Sequence, residues 1–409
     1  MNVVTRAAAV AVACAALSTA CVGATDVAID ETRVRVRPDA APGDPAAQDD
    51  AAQDPASTTA APATTAAPVD DTPSDERTLV KNTVITDGPL TPKSVEVSSS
   101  GLFFANNMMY SHTVTVYDRS FALVKVIDDS VDLAAYGLRD SPTIVKGSPV
   151  EMAFSNDGTR AYVSNYEMSG PGYSNPGNDK CAKGDWDHSF LYRIDTATLE
   201  IDQVIEVGAV PKYVAVTPDD STVLATNWCT YDMSVIDAAT GRETRRIDIG
   251  RFPRGIAVTN DSSTAYVSIM GGSDIAVVDL ASGSVSLIKG VGRAPRHLVL
   301  SPDDSLLYAT LNGDGTVIKI DTATRAVVGK VASPEQPRSM AIAPDGRSLY
   351  VVNYQSNVVS KIRTSDMTQI QRIAVGHHPI GITYDPVDQR VWVACYGGSI
   401  HVLDDRSAA

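Results

Sequence analysis

The chain has 409 residues, a formal net charge of −15, and 44% hydrophobic against 20% charged side chains. An acidic balance of this size argues against general affinity for nucleic-acid phosphates. Beyond the first twenty residues no stretch is long and apolar enough to cross a membrane as a helix.

In chain order, Met1 to Arg6 is a short basic start, and Ala7 to Ala20 is an apolar run of small residues ending at Cys21. This is the order of a secretory signal. Leu17-Ser18-Thr19-Ala20-Cys21 resembles a lipoprotein lipobox, with the aliphatic residue one place early. The resemblance implies lipidation of Cys21 and attachment at the outer side of the cell membrane. Ordinary signal cleavage nearby is the alternative. Residues 22–77 are rich in Ala, Thr, Pro and Asp, and from Asp26 to Arg77 twelve acids face four arginines. Such a segment buries too little apolar surface to offset its ordering entropy, so it is expected to be an unstructured acidic stalk.

Residues 78–409 exceed the usual size of a single core, which favours two domains or a repeat. Repetition decides it. Leading prolines at Pro211, Pro253, Pro295, Pro337 and Pro379 recur every 42 residues, with related segments starting at Pro149 and Pro92. The upstream steps are 57 and 62 residues, so Asp128–Ser148 and Glu167–Ser189 carry insertions. Each unit reads as four short strands; in the third these are YVAVTP, TVLATN, SVIDAA and TRRIDI. Seven four-stranded units predict an all-β, seven-bladed β-propeller, with antiparallel blades burying each other's faces. The last unit lacks a fourth strand, and Thr78–Ile85 is expected to supply it and close the ring. Asp118, Asp195, Asp237, Asp279, Asp321 and Asp404, ending the third strands, suit turn hydrogen bonds, and Arg363 breaks that pattern.

Tyr350-Val351-Val352-Asn353, Tyr162-Val163-Ser164-Asn165 and Tyr266-Val267-Ser268-Ile269 resemble the YVTN repeat, and the 42-residue unit is similar to YncE-like extracytoplasmic propellers. The resemblance covers residue 78 to the C-terminus. It implies the fold and assigns no reaction, because propellers host many functions. Some members bind nucleic acid, a role that the net charge here disfavours.

Both insertions lie in links on one face, where loops on a rigid scaffold carry function. Lys93, Lys212, Arg254, Arg296 and Arg338 follow leading prolines on that face; blades two and seven have Val150 and Ile380. Five cations are expected to form an exposed rim that focuses a small anionic ligand or an envelope partner; pairing with neighbouring carboxylates is the alternative. Asn106, Asn165, Asn227 and Asn353 end second strands, first as caps and second as ligand contacts. The leading expectation is a monomeric, non-enzymatic binding propeller.

Pro295-Arg296-His297 resembles the Pro-Arg-His motif of propeller lactonases. The resemblance implies that Arg296 binds a carboxylate or phosphate and His297 acts as a base on water. A third reading uses His377, His378 and Cys395 as ligands for copper, zinc or haem iron, with Asp185, Asp187 and His188 nearby in the second insertion. No fixed ligand spacing supports it, so no cofactor is assigned and a metal stays open. Cys181 and Cys229 fall in corresponding links of blades two and three, which predicts a disulfide and leaves Cys395 as a free thiol.

Overall fold

The computed structural model describes residues 70–333 and 335–407. The expected signal segment, Cys21 and the expected linker up to residue 69 lie outside the described residues. Seven four-stranded antiparallel sheets form the ring, and one further two-stranded hairpin is present. The strands of each blade are called a to d from the channel outward. The a strands are Pro92–Val97, Pro149–Phe154, Pro211–Val216, Pro253–Val258, Pro295–Leu300, Pro337–Ile342 and Pro379–Asp385. Each begins at its leading proline, and each abuts the a strands of the two neighbouring blades. Proline, which has no N–H to donate, is tolerated there because the a strand is the inner edge of its sheet.

The chain closes as expected. In blade seven Thr78–Ile85 runs antiparallel to Ser399–Arg406, with Thr78 opposite Arg406 and Ile85 opposite Ile400. The seam is packed across blades, since Phe103 of blade one stacks on Trp392 of blade seven at 3.7 Å between ring centroids. Elsewhere the core is a series of apolar layers between adjacent blades, such as Ile275, Leu298, Leu307 and Ile320 between blades four and five.

The folded unit starts earlier than the expected boundary at residue 78. The side-chain amide of Gln389 bonds both backbone groups of Asp70, and Ser74 donates twice to Asp345. The Arg77 carbonyl accepts from Lys361 Nζ. Lys361 also meets Asp405 at 2.6 Å, both side chains being fully buried, and Tyr350 donates its hydroxyl to the same carboxylate. Composition concealed this anchor because its polar groups find partners hundreds of residues away.

The turn aspartates behave as expected in five blades: Asp118, Asp195, Asp237, Asp279 and Asp321 accept from backbone N–H groups of their own turns. Asp404 does not. It lies inside Ser399–Arg406, the third strand of blade seven, and is held by Asn82, Arg390 and Arg406. The first insertion folds into a hairpin of Ser130–Asp132 with Ile144–Lys146, and Lys146 bridges to Ser169 of the second. Val131, Leu133, Val145 and Met168 share one buried cluster, so the two insertions form a joint annex.

Candidate anion-binding site

The site is built from a repeated local irregularity. In every blade the a–b register shifts just after the leading proline: between Pro211 and Tyr213 in blade three, and between Pro295 and Leu298 in blade five. A β-bulge re-aims the side chain it carries, and here that is the residue after the proline. Five of the seven are the cations named above. The residues just before the leading prolines of blades three to seven, Val210, Phe252, Ala294, Gln336 and His378, hold positive φ, a strain that persists only where surrounding contacts fix the backbone. Those contacts are present: the carbonyls of all five accept the N–H of the residue just past strand b.

The expectation of an exposed rim is corrected. Lys93, Lys212, Arg254 and Arg296 are 6%, 7%, 4% and 5% exposed. They are sunk into the channel mouth because the bulge turns them inward, under a collar formed by the residues just past the b strands. That collar is Met108, Tyr166, Trp228, Met270, Asn312, Tyr354 and Tyr396. It grips the cations. Lys212 Nζ lies 4.2 Å from the Tyr166 ring centroid and 5.1 Å from that of Trp228, and the Arg338 guanidinium lies 4.1 Å from that of Tyr354. Cation–π contacts strengthen when desolvated, so the collar fixes where these charges sit.

Carboxylates neutralise only part of the cluster. Glu151, itself buried, meets Lys93 at 3.6 Å and Arg254 at 3.3 Å. Asp179, delivered by the second insertion, meets Lys212 at 2.6 Å and accepts from the Tyr166 hydroxyl. The position of Asp179 is fixed because Cys181 is bonded to Cys229 in blade three, the disulfide expected from the sequence. Arg296 has no carboxylate within ion-pair distance among the described residues, and Met270 Sδ, at 4.0 Å from its Nη1, is a weak acceptor. Arg338 reaches Gln336 and leaves its Nε unbonded; Lys93 Nζ is likewise buried without a hydrogen bond.

Like charges out of water weaken one another's ionisation. Burial pushes the Lys93 ammonium well below its ordinary range, and Arg254 adds to this. Burial, then Arg254 and Arg338, push Arg296 down as well. Arg338 falls to about 10 through burial, with Tyr354 opposing and Arg254 reinforcing the shift. Lys212 falls to about 8 through burial, which Asp179 only partly offsets.

Below this layer the channel is bridged. Tyr213 Oη lies 2.9 Å from His297 Nε2, and the Met340 N–H points at His297 Nδ1 at 3.4 Å. The imidazole is depressed to about 3 by burial and by Arg296 and Arg254, so it is neutral. With Nδ1 accepting, Nε2 carries the proton and donates to Tyr213. Neither nitrogen is open to activate water in this geometry, so Pro295-Arg296-His297 contributes a cation and a cross-channel brace.

The remaining candidates separate from the mouth. Asn106, Asn165, Asn227 and Asn353 are fully buried. Asn227 donates to Asp232 and Ser234, Asn353 to Ser360, Asn106 to Ser94 and Asn165 to the Phe190 carbonyl. They clasp their own blades, as strand-end caps do. In blade one Asn107, not Asn106, faces the leading proline. His377 and His378 stack on each other, and His378 stacks on Tyr354. Cys395 is buried, and burial raises its thiol to about 12. Among the described residues no three His, Cys, Asp or Glu side chains converge to hold a metal. Asp185, Asp187 and His188 line a surface groove with Arg139 and Glu206, His188 pairing with Glu206 at 3.0 Å. A groove at the other end of the a strands, lined by Val299, Asp304 and Pro344 among others, gathers no converging charges.

Sequence reasoning found the five cations but missed Glu151, Asp179, the collar and the Tyr213–His297 brace. The collar had a signal in retrospect: aromatic or Met side chains follow the b strand in six of seven units. No known family profile matches the sequence, and no curated protein matches it. Among solved structures the chain is similar to hydrazine synthase of Kuenenia stuttgartiensis, with 18% identity, 80% of this chain and 99% of that chain covered, and a TM-score of 0.61. At that identity the likeness establishes the β-propeller architecture alone.

Proposed function

We propose that this protein is a non-enzymatic binding propeller that takes a small anion into its channel mouth. One observation carries the reading: four buried cations and the half-buried Arg338 meet two carboxylates, and Arg296, Arg338 Nε and Lys93 Nζ retain unspent donor capacity. Buried charges and donors left without acceptors are expensive, and an anion in the mouth supplies what they lack. Lipid attachment at Cys21 and the acidic linker would hold the propeller monomeric at the outer side of the membrane. The test is calorimetric titration of the purified propeller with phosphate, sulfate and acetate at low ionic strength. Binding of at least one anion, lost in the Arg296→Ala, Arg338→Ala double variant while its circular dichroism stays that of a β-propeller, is expected. Failure of every anion to bind, or equal binding by the variant, refutes the reading.

A further inference from the structure

We infer, resting on that reading, that the ligand is a compact tetrahedral oxyanion of charge −2, a phosphate-type group free or as a monoester, rather than a monocarboxylate.

Charge is the first argument. Five cations against Glu151 and Asp179 leave three positive charges without a carboxylate when all are ionised. A monocarboxylate cancels one of them; a phosphate monoester, with a second pKa near 6, cancels about two at neutral pH, and free phosphate between one and two. Shape is the second. Arg254, Arg296 and Arg338 occupy the same register position in three successive blades. Around a seven-fold ring neighbouring blades are rotated by about 51°, so three guanidinia approach the axis from three directions. A carboxylate accepts forked donors in its own plane, whereas a tetrahedral group presents oxygens in all three directions. Arginine rather than lysine occupies these consecutive positions; both lysines are committed to Glu151 or Asp179, and of the three arginines only Arg254 meets a carboxylate, the Glu151 it shares with Lys93.

The third argument is the tethered carboxylate. Asp179 is 70% exposed, yet its carboxylate reaches down to Lys212. It is held there by the Tyr166 hydroxyl, by Trp228 Nε1 donating to its carbonyl at 3.3 Å, and by the neighbouring disulfide. One carboxylate of the protein itself therefore already sits at the edge of the mouth. It satisfies the blade-three lysine, while Arg296 and Arg338 of the arginine arc have no carboxylate within ion-pair distance among the described residues. A ligand oxyanion is expected to compete electrostatically with it, and removing its charge should strengthen binding.

The experiment titrates inorganic phosphate, phenyl phosphate, acetate, benzoate and citrate into wild type, Arg296→Lys, Arg296→Ala and Asp179→Asn at pH 7 by calorimetry. Phosphate or phenyl phosphate should bind at least tenfold more tightly than acetate or benzoate. Arg296→Lys, which keeps the charge and loses the fork, should weaken phosphate about tenfold, and Asp179→Asn should strengthen it several-fold. Preference for inorganic phosphate marks the free ion as the source, and preference for phenyl phosphate marks a monoester; both support the inference. Acetate, benzoate or citrate binding as tightly as phosphate overturns the class but leaves the anion site standing. No binding by any probe, or phosphate binding unchanged in Arg296→Ala, overturns both.

Discussion

Glu151 is the point at which stability and binding should pull in opposite directions. Its carboxylate is the counter-ion of both Lys93 and Arg254, and all three groups are more than nine-tenths buried. Replacing it with glutamine keeps the shape and removes the charge, leaving two cations uncompensated beside Arg296. Breaking a buried ion pair by removing one partner costs about 3–5 kcal/mol. A folded unit of this size has an unfolding entropy near 0.7 kcal/mol/K, from roughly 2.1 cal/mol/K per residue. The loss therefore corresponds to a fall in Tm of about 4–7 °C. The same change raises the positive excess in the mouth, so phosphate should bind Glu151→Gln more tightly than wild type. At a phosphate concentration one hundred times Kd, binding returns about 2.7 kcal/mol, or about 4 °C. The assay is differential scanning calorimetry of both proteins in matched ionic strength, with chloride replaced stepwise by phosphate. A Tm deficit that shrinks as phosphate replaces chloride is expected. A variant as stable as wild type in chloride, or a deficit that phosphate leaves unchanged, would refute the account of the mouth as an under-neutralised buried cluster.

Deleting residues 78–87 removes the outer strand of blade seven, exposes the edge of Ser399–Arg406 and should give aggregation with a lower Tm, measured by light scattering and calorimetry. Lys361→Met leaves Asp405 buried beside Arg77 alone and should cost about 3–5 kcal/mol in urea unfolding, whereas an unchanged midpoint would mean that Arg77 suffices. Reducing Cys181–Cys229, which closes a loop of 48 residues, should lower stability by about 2–4 kcal/mol and weaken the hold on Asp179; equal midpoints with and without reductant would count against the staple. Lys212 titrates at about 8 in the fold, below its unfolded value, so the unfolded chain binds more protons between pH 8 and 10.5 and stability should rise across that window. Phosphate affinity should fall over the same range as the ammonium discharges, and a Lys212→Met protein should lose that part of the pH dependence.

Much of this molecule is determined by its sequence alone. The 42-residue recurrence of the leading prolines, the strand-forming runs and the missing fourth strand dictate a seven-bladed ring closed by Thr78–Ile85, because each blade can bury its faces only against neighbours of the same kind. Cys181 with Cys229 followed from two corresponding links in adjacent blades, and the five cations from their shared place after the prolines. What the sequence could not supply was depth and partnership. The same five residues on a flat edge would be an exposed rim; the bulge behind each proline turns them inward, and the collar past each b strand roofs them. Glu151 and Tyr213 lie 58 to 103 residues from the cations or the imidazole they meet in other blades, and Asp179 lies 33 from Lys212, and no local pattern announces such contacts. His297 shows the difference most sharply. Its neighbours in sequence suggest a base, whereas Tyr213 and the Met340 amide, brought to it by ring closure, occupy both nitrogens and leave a neutral brace. Local sequence fixes which residue type stands at each register position, and the tertiary ring decides which charges face water, which face one another, and which remain without an acceptor.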